Sequence, residues 1–308
     1  TALKVNKIKR NKITNILLLF IIMTCFGSSP MFIIWSLSEF NSISSGAGRI
    51  IIASCATILF CFISGKKLPK DPTIWKFSII YSFFSISLPF LMVPLALNFI
   101  TTSELAIYLA SIPLFVLILA KLILKEIITL KKWIGFFIGI IGLIILSEPH
   151  KFMIENFNEL IASLICICIS ICLASGGIII QKMPKCDPIS FSASSFLIAL
   201  IISLPIFFFL KPEEINFGKP LMGLLLAGIL STSLGGLARV LLIRRAGAVF
   251  TSINGYLVPL VTCSFGILFL NENLTLVMCI SFIIVILGII ISQNIDEYVI
   301  KIIRRPLP

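Results

Sequence analysis

The sequence predicts an all-α integral membrane protein of ten transmembrane helices. They are arranged as two inverted five-helix repeats with both termini in the cytoplasm. Three observations carry this. First, the chain is 58% hydrophobic and 12% charged, with a mean hydropathy of +1.13, whereas soluble domains carry about 25% charged residues. Second, apolar runs near the roughly 20 residues that cross a bilayer recur along the whole chain. Third, one stretch occurs twice. With Pro113 set over Pro259, an offset of 146 residues, Glu126 falls on Glu272, Thr129 on Thr275, Leu130 on Leu276 and Gly142 on Gly288. Several landmarks at one spacing mark an internal duplication.

Residues 1–14 form a basic N-terminus with Lys4, Lys7, Lys9, Arg10 and Lys12. The apolar run that follows is too long for the h-region of a signal peptide and reads as the first span. The ten spans are expected at 15–37, 43–64, 73–97, 103–123 and 131–147 (first repeat, 15–147), and at 159–181, 189–210, 219–242, 249–270 and 276–292 (second repeat, 159–292). An external linker, 148–158, joins the repeats, and 293–308 is a cytoplasmic tail. Short connections rich in Pro, Asn, Asp and Lys separate the spans, with no inserted soluble domain.

Orientation follows from the excess of Lys and Arg on the cytoplasmic side. Alternate loops and both termini hold nineteen Lys and Arg, against Lys151, Lys211 and Lys219 on the opposite side. Five spans per repeat is an odd number, so the second repeat enters the membrane upside down relative to the first. Loop 4–5 with Glu126 then faces the cytoplasm and loop 9–10 with Glu272 faces outward. Inverted repeats of this kind build secondary transporters, in which the substrate sits near the midplane between the halves.

Composition and motifs exclude several other classes. HExxH, GxSxG and GxxxxGK[ST] patterns are missing, and the one histidine, His150, allows no histidine triad or zinc site. No enzyme activity, cofactor or metal is therefore expected. The net charge of +12 sits in short segments between apolar spans and is no nucleic-acid signal. Eight of the nine cysteines lie within spans, no CxxC pair occurs, and they read as small apolar fillers.

The residues also resemble a known family. Leu242-Ile243-Arg244-Arg245-Ala246-Gly247-Ala248 running into Tyr256-Leu257-Val258-Pro259 and Asn271-Glu272-Asn273-Leu274-Thr275 is similar to the EamA-type transporters of the drug/metabolite superfamily. The first half carries the matching Ile112-Pro113-Leu114-Phe115, Lys125-Glu126 and Trp133-Ile134-Gly135. Cys25-Phe26-Gly27-Ser28-Ser29 resembles the family's first-helix pattern with Phe26 in place of tryptophan. Arg49 matches an arginine common in its second helix, and Asn271 replaces a frequent glycine. The resemblance implies a transporter of the inner membrane and leaves substrate and direction open.

Charged and polar groups within spans are costly in lipid and are candidates for function. Arg49 reads either as a counter-charge for a carboxylate substrate or as a structural arginine bonded to backbone carbonyls. Arg239 either lines the cavity or snorkels. Prolines within spans free backbone carbonyls, which are tolerated only against protein or a water-filled cavity. The cavity wall is therefore expected around Ser28, Ser29 and Pro30, around Tyr108, Ser111 and Pro113, and around Asn254, Tyr256 and Pro259. Tyr108 and Asn254 are equivalent positions at the offset of 146, and both are also candidates for interhelical hydrogen bonds. Glu126 and Glu272 are expected as gate or helix-end residues at opposite membrane faces. Gly135, Gly139 and Gly142 read as a helix-packing seam.

The expected function is alternating-access transport of a small metabolite, an amino acid or related compound, with export as the expected direction. Uptake or exchange of a nucleotide-derived or quaternary-amine metabolite is the alternative, and a non-transporting membrane receptor or enzyme subunit is the second. The partners are a small-molecule substrate and the lipid bilayer; a homodimer stays open.

Overall fold

The computed structural model describes residues 2–125, 129–146, 157–212, 217–246, 251 and 254–292. Among these residues all regular structure is helical. We number the helices in chain order: α1 (Ala2–Ser36), α2 (Ser42–Ile63), α3 (Pro72–Ala96), α4 (Thr102–Ala110 and Ile112–Leu124), α5 (Leu130–Leu146), α6 (Phe157–Lys182), α7 (Pro188–Leu210), α8 (Lys219–Ala246), α9 (Asn254–Leu270) and α10 (Leu276–Ser292). Seven of them, α1–α4 and α6–α8, are long and apolar enough to cross a membrane; α5, α9 and α10 hold shorter apolar stretches.

Local chemistry sets the helix ends. Asn41 Oδ1 accepts the Ser44 N–H at 2.8 Å and starts α2, and Asp71 Oδ1 accepts the Thr73 N–H at 2.8 Å and starts α3. Thr101 and Glu104 form a reciprocal capping box at the head of α4. The last turns of α4 and α9 end on Lys125 (φ 56°) and Asn271 (φ 55°), equivalent positions in the two repeats. The left-handed conformation there satisfies orphan carbonyls, so both copies close the helix with the same turn.

Two π-helical stretches, Ser82–Ser87 within α3 and Ala227–Leu234 within α8, also fall at equivalent places. Each turns the side chains beyond it relative to those before. Such insertions concentrate at functional sites.

Packing has a twofold pattern. α5 packs on α10 and α2 on α7; α1 meets α9 as α6 meets α4; α1 meets α8 as α6 meets α3. The repeats therefore interlock rather than forming two separate bundles. At the α5–α10 contact a Cβ added to Gly288 would lie 2.5 Å from the Gly139 nitrogen and 2.6 Å from the Gly135 oxygen. Backbones approach this closely only where a side chain is missing.

Candidate functional site

Between the interlocked halves lies a cavity of about 190 Å³, lined by residues of α1–α4 and α6–α9 and of the segment leading into α9. Among the described residues, none of α5 or α10 belongs to its wall. The repeat offset runs through the lining. Ile86 and Thr232, Val93 and Arg239, Leu105 and Thr251, Pro113 and Pro259, and Val116 and Thr262 are equivalent pairs, and every member lines the cavity. Four of the five pairs are chemically unequal, Pro113 with Pro259 being the identical one. Where α3 and α4 present isoleucine, valine and leucine, α8, α9 and Thr251 present threonine and arginine. At these four pairs the first repeat is apolar and the second polar, while Ser29, Arg49, Tyr81 and Ser85 bring polar groups of the first repeat to the same lining.

Arg49 is 2% exposed and lines this space. Its Nε donates to Thr232 Oγ1 at 2.5 Å, an Nη2 N–H donates to Ser29 Oγ at 2.7 Å, and the guanidinium carbon lies 4.3 Å from the centre of the Phe90 ring. Thr232 belongs to the π stretch of α8, whose geometry lets its hydroxyl also donate to the Ala227 carbonyl at 2.8 Å. No carboxylate answers the charge: among the described residues the ion pair is Lys66–Asp187, in the loops. A guanidinium offers five N–H donors, so three of those on Arg49 have no described acceptor. Buried charges are normally paired, because desolvating them is costly. Arg239 lines the same cavity and donates from Nη2 to the Leu173 carbonyl at 2.8 Å.

The expected site residues separate in the structure. Ser29, Arg49, Pro113, Arg239, Asn254 and Pro259 line the cavity. Ser28, Tyr108 and Ser111 are not part of its lining. Ser28 Oγ donates to the Thr24 carbonyl at 2.8 Å, as Ser in a helix often does. Tyr108 is 2% exposed and its hydroxyl donates to Ser163 Oγ at 2.7 Å, bonding α4 to α6. Ser111 occupies the break in α4 that Pro113 imposes. Its hydroxyl and that of Ser170 both donate to the Tyr108 carbonyl, at 2.6 and 3.1 Å. The Tyr256 side chain and the whole of Glu126 lie outside the described residues.

Glu272 bridges the repeats. Its Oε1 accepts from the Thr102 N–H at 2.7 Å and the Thr102 hydroxyl at 2.8 Å. Its Oε2 accepts from the Ser103 N–H at 3.1 Å and the Ser103 hydroxyl at 2.6 Å. A carboxylate at a helix N-terminus meets both free N–H groups and the positive end of the helix dipole. The end of α9 is thereby tied to the start of α4.

Sequence reasoning missed Thr232, Phe90, Thr251 and Thr262 as wall residues. Phe90 becomes visible only through its contact with Arg49. The polar residues at 232, 251 and 262 could have been found by comparing the two repeats position by position.

A membrane-embedded helical protein with duplicated halves around a cavity, tied together by Glu272, has the build of a membrane transporter. The sequence profile of the EamA-like transporter family matches residues 13–148 and again residues 160–293, so the chain belongs to that family. It is 25% identical over 259 residues to a protein of Archaeoglobus fulgidus named an uncharacterized transporter, covering 82% of this chain and 89% of that one. It is also similar to the S-adenosylmethionine uptake transporters of Rickettsia prowazekii (36% identical) and Rickettsia conorii (37%). Those matches span 98 residues, 31% of each chain. A solved crystal structure superposes on 92% of this chain and 98% of its own with a TM-score of 0.68 at 11% identity, a likeness of fold.

Proposed function

We propose that the protein is a secondary transporter that takes up a small metabolite bearing an amino-acid carboxylate, by alternating access between two inverted five-helix halves. The observation that carries this reading is Arg49, a buried guanidinium on the cavity wall with hydroxyls and a ring for neighbours and no carboxylate. A cargo carboxylate supplies the missing charge, and bidentate pairing with guanidinium adds geometric selectivity. Ten spans with both termini in the cytoplasm, as the distribution of Lys and Arg implies, would place Glu272 at the outer face. Export is the direction expected in the sequence reading; the named Rickettsia relatives favour uptake, with S-adenosylmethionine or a close analogue as cargo.

A carboxylate distinguishes this cargo from a simple quaternary amine. Among the described lining residues Arg49 and Arg239 stand with no Asp or Glu, so only a cargo that carries its own anionic group can pair with them. The sulfonium of an adenosyl cargo would sit away from the guanidiniums, against the ring of Phe26 or Phe196 on the same wall.

Proteoliposomes test the reading. Vesicles holding the wild-type chain should accumulate labelled S-adenosylmethionine or methionine. Arg49→Gln should abolish saturable uptake, and Arg49→Lys should retain little, since an ammonium offers neither fork nor stacking plane. Saturable uptake by Arg49→Gln with an unchanged KM would overturn it.

A further inference from the structure

The duplicated position 108/254 is filled very differently in the two repeats. Tyr108 is buried, bonded to Ser163, and absent from the cavity wall. Asn254 lines the cavity, and both its amide nitrogen and its amide oxygen are shut off from solvent with no hydrogen-bond partner among the described residues. An asparagine acting as glue between helices would have spent at least one of these groups on a neighbour. Burying a donor and an acceptor together, both unmet, is costly enough to call for a partner.

The shape of an amide restricts what that partner is. Its donor and acceptor sit side by side in one plane. A carboxylate meets only the donor, an ammonium only the acceptor, and a single hydroxyl reaches both only through two bent, weakened bonds. A flat group with an adjacent donor and acceptor meets both at once. The edge of a 6-aminopurine, with its N6–H and N7, is such a group, and asparagine pairs with it through two hydrogen bonds. The surroundings suit it: Ile86, Val93, Leu105 and Val116 offer apolar side chains of the lining to the faces of a planar ring, and Arg49 lines the same cavity for a carboxylate.

We propose that Asn254 is the specificity residue for the cargo's base, reading the amino–imidazole edge of a 6-aminopurine while Arg49 holds the carboxylate. The cargo class is then an adenosyl amino acid rather than a free amino acid. This rests on the carboxylate reading above and adds to it a second, independent anchor.

The test measures binding to the purified full chain in lipid nanodiscs by calorimetry. The probes are S-adenosylhomocysteine, its analogue with hydrogen in place of the 6-amino group, and methionine. The wild-type chain should bind the amino compound roughly 10- to 100-fold more tightly than the 6-desamino analogue. In Asn254→Leu, which keeps the number and branching of the side-chain heavy atoms, the ratio should shrink to about twofold or less, because the discriminating bonds are gone. A wild-type ratio near one overturns the proposal without any variant, and so does a ratio that Asn254→Leu leaves unchanged. Methionine binding that depends on Arg49, with no preference between the two nucleoside compounds, overturns the purine assignment alone. Binding of none of the three overturns the carboxylate reading as well.

Discussion

Replacing Glu272 by Gln keeps the shape of the side chain and reverses one of its two oxygens into a donor. In the native structure each oxygen accepts two hydrogen bonds, one backbone and one hydroxyl, from Thr102 and Ser103. Whichever oxygen becomes NH2, it faces a backbone N–H, so that bond cannot form; the hydroxyl beside it must rotate to accept instead. The lost charge also removes a favourable interaction with the head of α4. One lost bond at about 1–1.5 kcal/mol and the lost charge interaction at about 0.3–1 kcal/mol weaken the latch by about 1.3–2.5 kcal/mol, or roughly 10- to 70-fold in the equilibrium between latched and open. Amide hydrogen exchange at Thr102 and Ser103 reads this directly, since those N–H groups are the donors and exchange through opening. Exchange there should quicken by that factor, while amides in the middle of α2 and α7, which are far from the latch, keep their rates. Gly266→Ala provides a charge-neutral control. A Cβ at Gly266 would lie 2.5 Å from Glu272 Oε2 and 2.9 Å from Thr102 Oγ1, so it should loosen the same amides. If Glu272→Gln leaves the Thr102 and Ser103 amides exchanging at the wild-type rate, the carboxylate is not what holds α4 to α9, and the latch assignment fails.

Two further outcomes follow from packing and loop electrostatics. Gly288→Ala places a Cβ 2.5 Å from backbone of α5, and the rigid neighbour should make it cost about 1–3 kcal/mol. The melting temperature in detergent should fall while KM stays unchanged, since α5 and α10 lie off the cavity wall. Asp187 precedes α7 and accepts the N–H groups of Ile189 and Ser190 at 3.1 Å, with Lys66 Nζ at 3.1 Å. Burial pushes its carboxyl up, but the Lys66 ammonium and those two N–H groups outweigh that and hold it below its ordinary value. Because its pKa is lowered on folding, Asp187 adds stability above the unfolded carboxylate range. That contribution disappears as pH falls through the lowered folded value. Thermal melts of wild type and Asp187→Ala across acid pH should therefore converge only below about pH 4.

Much of the architecture could be read from spacing. The apolar runs and the offset of 146 residues pointed to paired helices, and the offset also marks pairs that the cavity keeps, such as Pro113 with Pro259. Intramembrane charge is rare enough that Arg49 and Arg239 stood out by cost alone. The face on which a polar residue sits was harder to read. Tyr108 and Asn254 occupy matching positions, yet one ties α4 to α6 and the other lines the cavity. The π stretches of α3 (SFFSIS) and α8 (AGILSTSL) shift the helical phase with no proline or glycine signature common to both, so a regular 3.6-residue count misplaces side chains beyond them.

The sequence by itself determined that the chain is membrane-embedded, duplicated and without catalytic motifs, because hydropathy, repeat spacing and residue chemistry are local properties of the chain. Only the tertiary structure decided that Arg49 meets Thr232, Ser29 and Phe90 rather than a carboxylate, and that Glu272 caps a helix of the other repeat. Those partners lie as far as 183 residues apart along the chain. Their meeting depends on how the interlocked halves pack, which no spacing within either half records.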